Sequence, residues 1–128
     1  MPDKTRTERQ KQVADWCGAA FGKAHASSLP QRGIRLLEEA IELAQSAGCD
    51  REMAHKLVDH IWAKPAGEIN QEIGGVGTTL LALAQAAGLD ADTEEAREVA
   101  RILATPPGYF AARNKAKNDA GFNVVPEP

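Results

Sequence analysis

Along this chain apolar positions recur at intervals of three and four, and no stretch sustains the alternation of a half-buried strand. The pattern predicts an all-α fold. Val13, Trp16, Cys17, Ala20 and Phe21 form the stripe of a first helix over Thr5 to about Ala26, weakened in its second half by Gly18 and Gly22. Ser28-Leu29-Pro30 breaks that pattern: Pro30 suits a first helical turn and Ser28 its cap. A second helix, from Arg32, stops at Gly48. Asp50 caps a third, whose buried face would be Met53, Leu57, Val58, Ile61 and Trp62, ending at Lys64-Pro65-Ala66-Gly67. A fourth runs from near Glu68 to Gly88. A fifth follows, with Asp90 or Asp92 as cap, and Pro106-Pro107-Gly108 stops it. The remainder begins helical and then frays. About five helices joined by short loops predict a bundle of antiparallel neighbours, with one domain over residues 1–118 and a loose tail over 119–128.

Composition narrows the class. A chain of 128 residues can bury a core without disulfides or a structural metal, and sparse aromatics with abundant alanine suit close-packed helices. The net charge of −3 and the lack of a broad basic footprint argue against nucleic-acid binding. Two cysteines without metal-type spacing fit a reducing cytoplasm. No signal peptide and no membrane-length apolar run are read from the sequence.

The second helix carries the candidate chemistry. Glu38, Glu39 and Glu42 crowd within two turns, flanked by Ile34, Leu36, Leu37, Ile41 and Leu43. Like charges at this spacing cost an isolated helix about 0.2–0.5 kcal/mol per pair. A hard divalent cation with oxygen ligands would reverse the sign. Taken alone, the same pattern is also that of a solvated acidic stripe. The fourth helix adds Glu68 and Glu72, one turn apart, then Gly74, Gly75 and Gly77 within three turns. Three helical glycines cost about 2–3 kcal/mol together. Close helix approach or room for a ligand would compensate. Carboxylates on facing helices are a common way to build a metal site in a bundle.

EEAIEL, followed by EIGGVGTTLLALAQAAGLD, resembles the all-α nucleoside triphosphate pyrophosphohydrolases, the MazG-like enzymes, over Arg32 to Asp90. Their signature is EExxE, a spacer and ExxD. The resemblance implies hydrolysis of a nucleoside triphosphate to monophosphate and pyrophosphate, with Mg²⁺ (Mn²⁺ as alternative) as cofactor. It also implies a homodimer or homotetramer. By position Glu39, Glu42 and Glu72 match the metal ligands, and Glu38 the acid near the attacking water. The ExxD aspartate falls on Gly75; Glu68 or water would fill the gap. The pattern GE…QEIGGV matches a short variant form. Arg113, Lys115, Lys117 and Asn118 resemble the family's late phosphate-contacting segment, and guanidinium and ammonium groups suit phosphate oxygens. Arg35, before the acids, could reach a phosphate or neutralise them, as could Arg32. The alternatives are a non-catalytic helical module and a phosphoribosyl-ATP pyrophosphohydrolase-like enzyme. Trp16 and Trp62 read as core. Asp59 could approach the metal, whereas the spacing of His55 and His60 argues against a histidine site. GVGTT lacks the GxxxxGK[ST] of a phosphate loop.

Overall fold

The computed structural model describes residues 4–125, and within them every regular element is an α-helix. There are seven: α1 (Arg6–Phe21), α2 (Lys23–Ser27), α3 (Leu29–Ser46), α4 (Arg51–Trp62), α5 (Ile69–Ala86), α6 (Ala91–Ala104) and α7 (Pro107–Asp119). Local chemistry explains most boundaries. Thr5 and Glu8 form a reciprocal capping box on α1. The predicted single first helix is two, because Gly22 takes φ +87°, which a helix does not accommodate. Ser28 caps α3 as expected, its Oγ accepting from the Gln31 N–H at 3.2 Å, and Asp50 caps α4 through the Met53 N–H at 2.8 Å. Asp92 lies inside the first turn of α6 instead of preceding it. The predicted fifth helix ends at Ala104, and Pro107 opens α7.

Contacts gather in two compact units. One comprises the residues up to Leu36 with those from Asp92 on, and the other Leu37–Ala91. In the first, α1 packs on α2 and α7. Cys17, Val99, Ile102 and Phe110 are its buried apolar residues, and Trp16 stands edge-on to Phe21 (5.3 Å) and Phe110 (4.9 Å). Its other buried residues are polar. Arg9 of α1, 3% exposed, donates to Glu95 at 2.9 and 3.1 Å, to Asp92 and to the Lys4 carbonyl at 2.6 Å, which ties α1 to the head of α6. These two carboxylates hold the guanidinium's pKa above its usual value, Glu95 most strongly.

Gln31 has no exposed surface at all. Its Oε1 accepts from the N–H groups of Val124 (2.7 Å) and Val125 (3.3 Å), and its Nε2 donates to Asn123 Oδ1 at 3.2 Å. Asn123 Nδ2 donates to the Asn114 carbonyl and Oδ1, and Arg35 donates to the Phe122 carbonyl at 2.7 Å and to Asn123 Oδ1. Gly121, at φ +85°, turns the chain from α7 into this clasp. The backbone up to Val125 is thus held from α3 and α7; the rest of the tail expected to be loose, residues 126–128, lies outside the described part.

The second unit is different. None of residues 37–91 is buried. The apolar face predicted for α4 is formed but uncovered: Met53, Leu57, Val58 and Ile61 are 44–50% exposed and Trp62 is 71% exposed. Trp62 is therefore not a core residue of this chain, because no neighbouring helix closes on α4. The amphipathic pattern formed the helix without supplying its partner.

The clasp makes a stability prediction. Gln31→Ala removes the acceptor of the Val124 and Val125 N–H groups and one of the two donors to Asn123 Oδ1, which keeps Arg35, at a cost of about 1–3 kcal/mol. Thermal melting should show a lower Tm for Gln31→Ala and for Asn123→Ala. The double variant should lose less than the sum, because both belong to one network.

Candidate functional site

Glu38, Glu39 and Glu42 all lie on α3, Glu38 half-buried and the other two exposed. The helix continues one turn past Glu42, whose carbonyl also accepts from Ser46 Oγ at 3.0 Å. Glu68 is the N-cap of α5, with no side-chain capping bond, and Glu72 lies in the first turn. That position is electrostatically favourable for a carboxylate, since the helix N-terminus carries partial positive charge. Glu72 folds back over Gly67: a Cβ on Gly67 would stand 2.6 Å from Glu72 Oε1. The sequence marked Gly67 only as a helix stop, whereas the fold also uses its bare Cα to make room for this carboxylate.

Among the described residues, no group of three or more Asp, Glu, His or Cys side chains is arranged to hold a metal ion. Asp59, His55 and His60 on α4 join no such group either. The three glycines of α5 have open space around them. A Cβ on Gly74, Gly75 or Gly77 would meet nothing within 4 Å, and Thr78 and Thr79 fold their hydroxyls back onto the carbonyls of Gly74 and Gly75 at 2.9 and 2.8 Å. The close helix approach anticipated for these glycines is not made by this chain's described residues.

The predicted phosphate-contacting residues belong to the other unit. Arg35 is engaged by the tail clasp. Arg113 lies over the Tyr109 ring at 5.6 Å and donates to its hydroxyl at 3.1 Å. Lys115 pairs with Asp119 at 2.8 Å, an exposed contact of small energetic weight. Lys117 and Asn118 are half-buried near the end of α7, and their carbonyls accept from the N–H groups of Phe122 (2.9 Å) and Gly121 (3.0 Å). Arg113 and Lys117 are four residues apart and share a helix face.

Sequence reasoning missed the buried polar residues Arg9, His25, Gln31 and the half-buried Asn123. Only Gln31 had a local signal, three residues after a capping serine, and that spacing points to a capping box. Its amide instead serves the tail. Arg32 also differs from expectation: its guanidinium meets the His25 ring, the Cys17 sulfur at 3.6 Å and the Phe21 face at 5.7 Å.

No family model, no curated protein and no solved structure matches the chain. Among the described residues no helix is long and apolar enough to cross a membrane.

A substitution at residue 67 tests the Glu72 placement. Gly67→Ala should swing the Glu72 carboxylate off the backbone with little change in Tm, because the atom it meets is the far end of a flexible side chain. A crystal structure of the variant with Glu72 in a different rotamer is the expected outcome.

Proposed function

We propose that this protein is a metal-dependent nucleoside triphosphate pyrophosphohydrolase whose carboxylate set is completed by a second copy of the chain. The observation that carries the reading is the pairing of EExxE on α3 with Glu68 and Glu72 at the head of α5, in a stretch with no buried residue. Thirteen large apolar side chains of residues 37–91, among them Ile41, Leu57, Ile61, Ile73 and Leu81, are 42–71% exposed. Soluble monomers seldom leave so much apolar surface uncovered, and each such side chain contributes about 1.5–3 kcal/mol on full burial. A second copy is the fitting occupant because it covers these faces and doubles the carboxylates available. Closed two-fold pairing is also the commonest symmetry of soluble oligomers.

The donor set suits Mg²⁺ or Mn²⁺ in kind, since all the ligands offered are hard carboxylate oxygens. Glu39, Glu42 and Glu72 would hold the cation, with Glu68 supplying the oxygen that Gly75 lacks. When bound, the cation supplies Lewis-acid stabilisation of phosphate oxygens and lowers the pKa of a coordinated water. Glu38 accepts the proton of the attacking water as general base. Water oxygen bonds to the α-phosphorus, the bond to the bridging α–β oxygen breaks, and pyrophosphate leaves with that oxygen. A second reading, a non-catalytic helical module, is favoured by one observation: Gly75 occupies the position of the ExxD aspartate.

Calorimetry with Mg²⁺ and a non-hydrolysable nucleotide triphosphate, alongside light scattering, separates the two readings. The expected wild type is a dimer or tetramer that binds nucleotide only with metal and releases pyrophosphate. Glu39→Gln should lose metal binding and stay associated, and Ile61→Asp should lose both. Glu38→Gln should lower kcat by about 10²–10⁴-fold, the range for a positioned general base. Metal binding by a monomer would overturn the shared site. An associated protein that binds no metal at millimolar concentration would leave the helical module as the reading.

A further inference from the structure

His25 is the centre of a buried corner that the proposed hydrolysis does not use. It sits on the five-residue helix α2, only 5% exposed, between α1 and α3. Its Nδ1 is 2.6 Å from an Arg32 terminal nitrogen. A guanidinium has only donors, so Nδ1 must offer its lone pair and the ring must be neutral, with its proton on Nε2. The same Arg32 reaches Cys17 Sγ at 3.6 Å, and Cys17 is 7% exposed. Phe21 of α1 closes another side, its ring 5.2 Å from the imidazole.

The groups facing the ring are therefore Phe21 from α1, Arg32 and Arg35 from α3, and Asn114 from α7, with Cys17 of α1 held by the same Arg32. Burial, then Arg32, then Arg35 press the ring's pKa below its ordinary value, and Asn114 alone opposes them. Burial pushes the Cys17 thiol up, with Arg32 opposing. Arg32 has no carboxylate partner among the described residues to absorb a further positive charge.

We propose that the His25–Arg32 contact is an acid-sensitive latch that holds α2 against α1 and α3. Protonation of Nδ1 removes the acceptor for Arg32 and puts two cations face to face in a corner with little water to screen them. The contact then opens, α2 swings out about Gly22, and Cys17 becomes accessible. The sign follows from linkage. The unfolded or opened chain takes up the proton at the ordinary imidazole value of about 6.5, whereas the closed corner takes it up only at lower pH. Closure is thus fully stabilised above about pH 6.5 and weakens as pH falls from there to the depressed value.

The test is maleimide labelling of Cys17 in the Cys49→Ser chain, with each rate divided by that of the urea-unfolded chain at the same pH. Protection should be flat from pH 8 to 7. Below about pH 6.5 it should fall, by tenfold for each pKa unit that the corner has taken from the ring. His25→Gln offers an oxygen to Arg32 and never charges, so its protection should stay flat. An equal fall in both chains overturns the latch. If His25→Gln does not fold, NMR of the wild-type His25 ring decides. A midpoint below 6.5 that coincides with loss of Cys17 protection supports the latch, and a midpoint at or above 6.5 overturns it.

Discussion

A primary amide with no access to water must find partners for its oxygen and both its hydrogens or cost the fold dearly. Gln31 is in that position, and the unit formed by the two ends of the chain meets its oxygen twice and its nitrogen once. The tail supplies two N–H groups and the Asn123 side chain, Asn123 in turn leans on Asn114 of α7, and Arg35 holds the Phe122 carbonyl. Arg9 of α1 repeats the device: one buried guanidinium gathers Asp92, Glu95 and the Lys4 carbonyl. With only Cys17, Val99, Ile102 and Phe110 as buried apolar residues, directional polar bonds supply much of the specificity that a larger core would supply by packing.

The stretch from Leu37 to Ala91 has no comparable centre. Its helices are amphipathic, yet their apolar faces meet water and the glycines of α5 face open space. A fold in which one unit closes on itself while the other leaves its apolar faces uncovered is consistent with a division of labour. The terminal unit carries the buried side chains, and the middle unit carries the α3 and α5 acids in a stretch with no buried residue.

Much of the local structure was legible. The three- and four-residue periodicity located the helices, and Ser28, Asp50 and Gly48 marked boundaries that the structure keeps, because caps act within one turn. The acids of α3 and α5 were equally legible as residues on helices. Their assembly into a ligand set was not, since convergence depends on helix placement, which no local pattern fixes.

By itself, the sequence determined the helical class, most of the helix boundaries and the identity of the acidic residues. Those features rest on hydrophobic period, capping chemistry and helix propensity, all of which operate over a few neighbouring residues. Only the tertiary structure decided that Gln31 would meet Val124, that Arg9 would meet Glu95, that Trp62 would lie exposed and that His25 would be sealed beside Arg32. Partnerships across 86 or 93 residues leave no local trace, because a buried polar side chain is matched by whatever the fold brings to it.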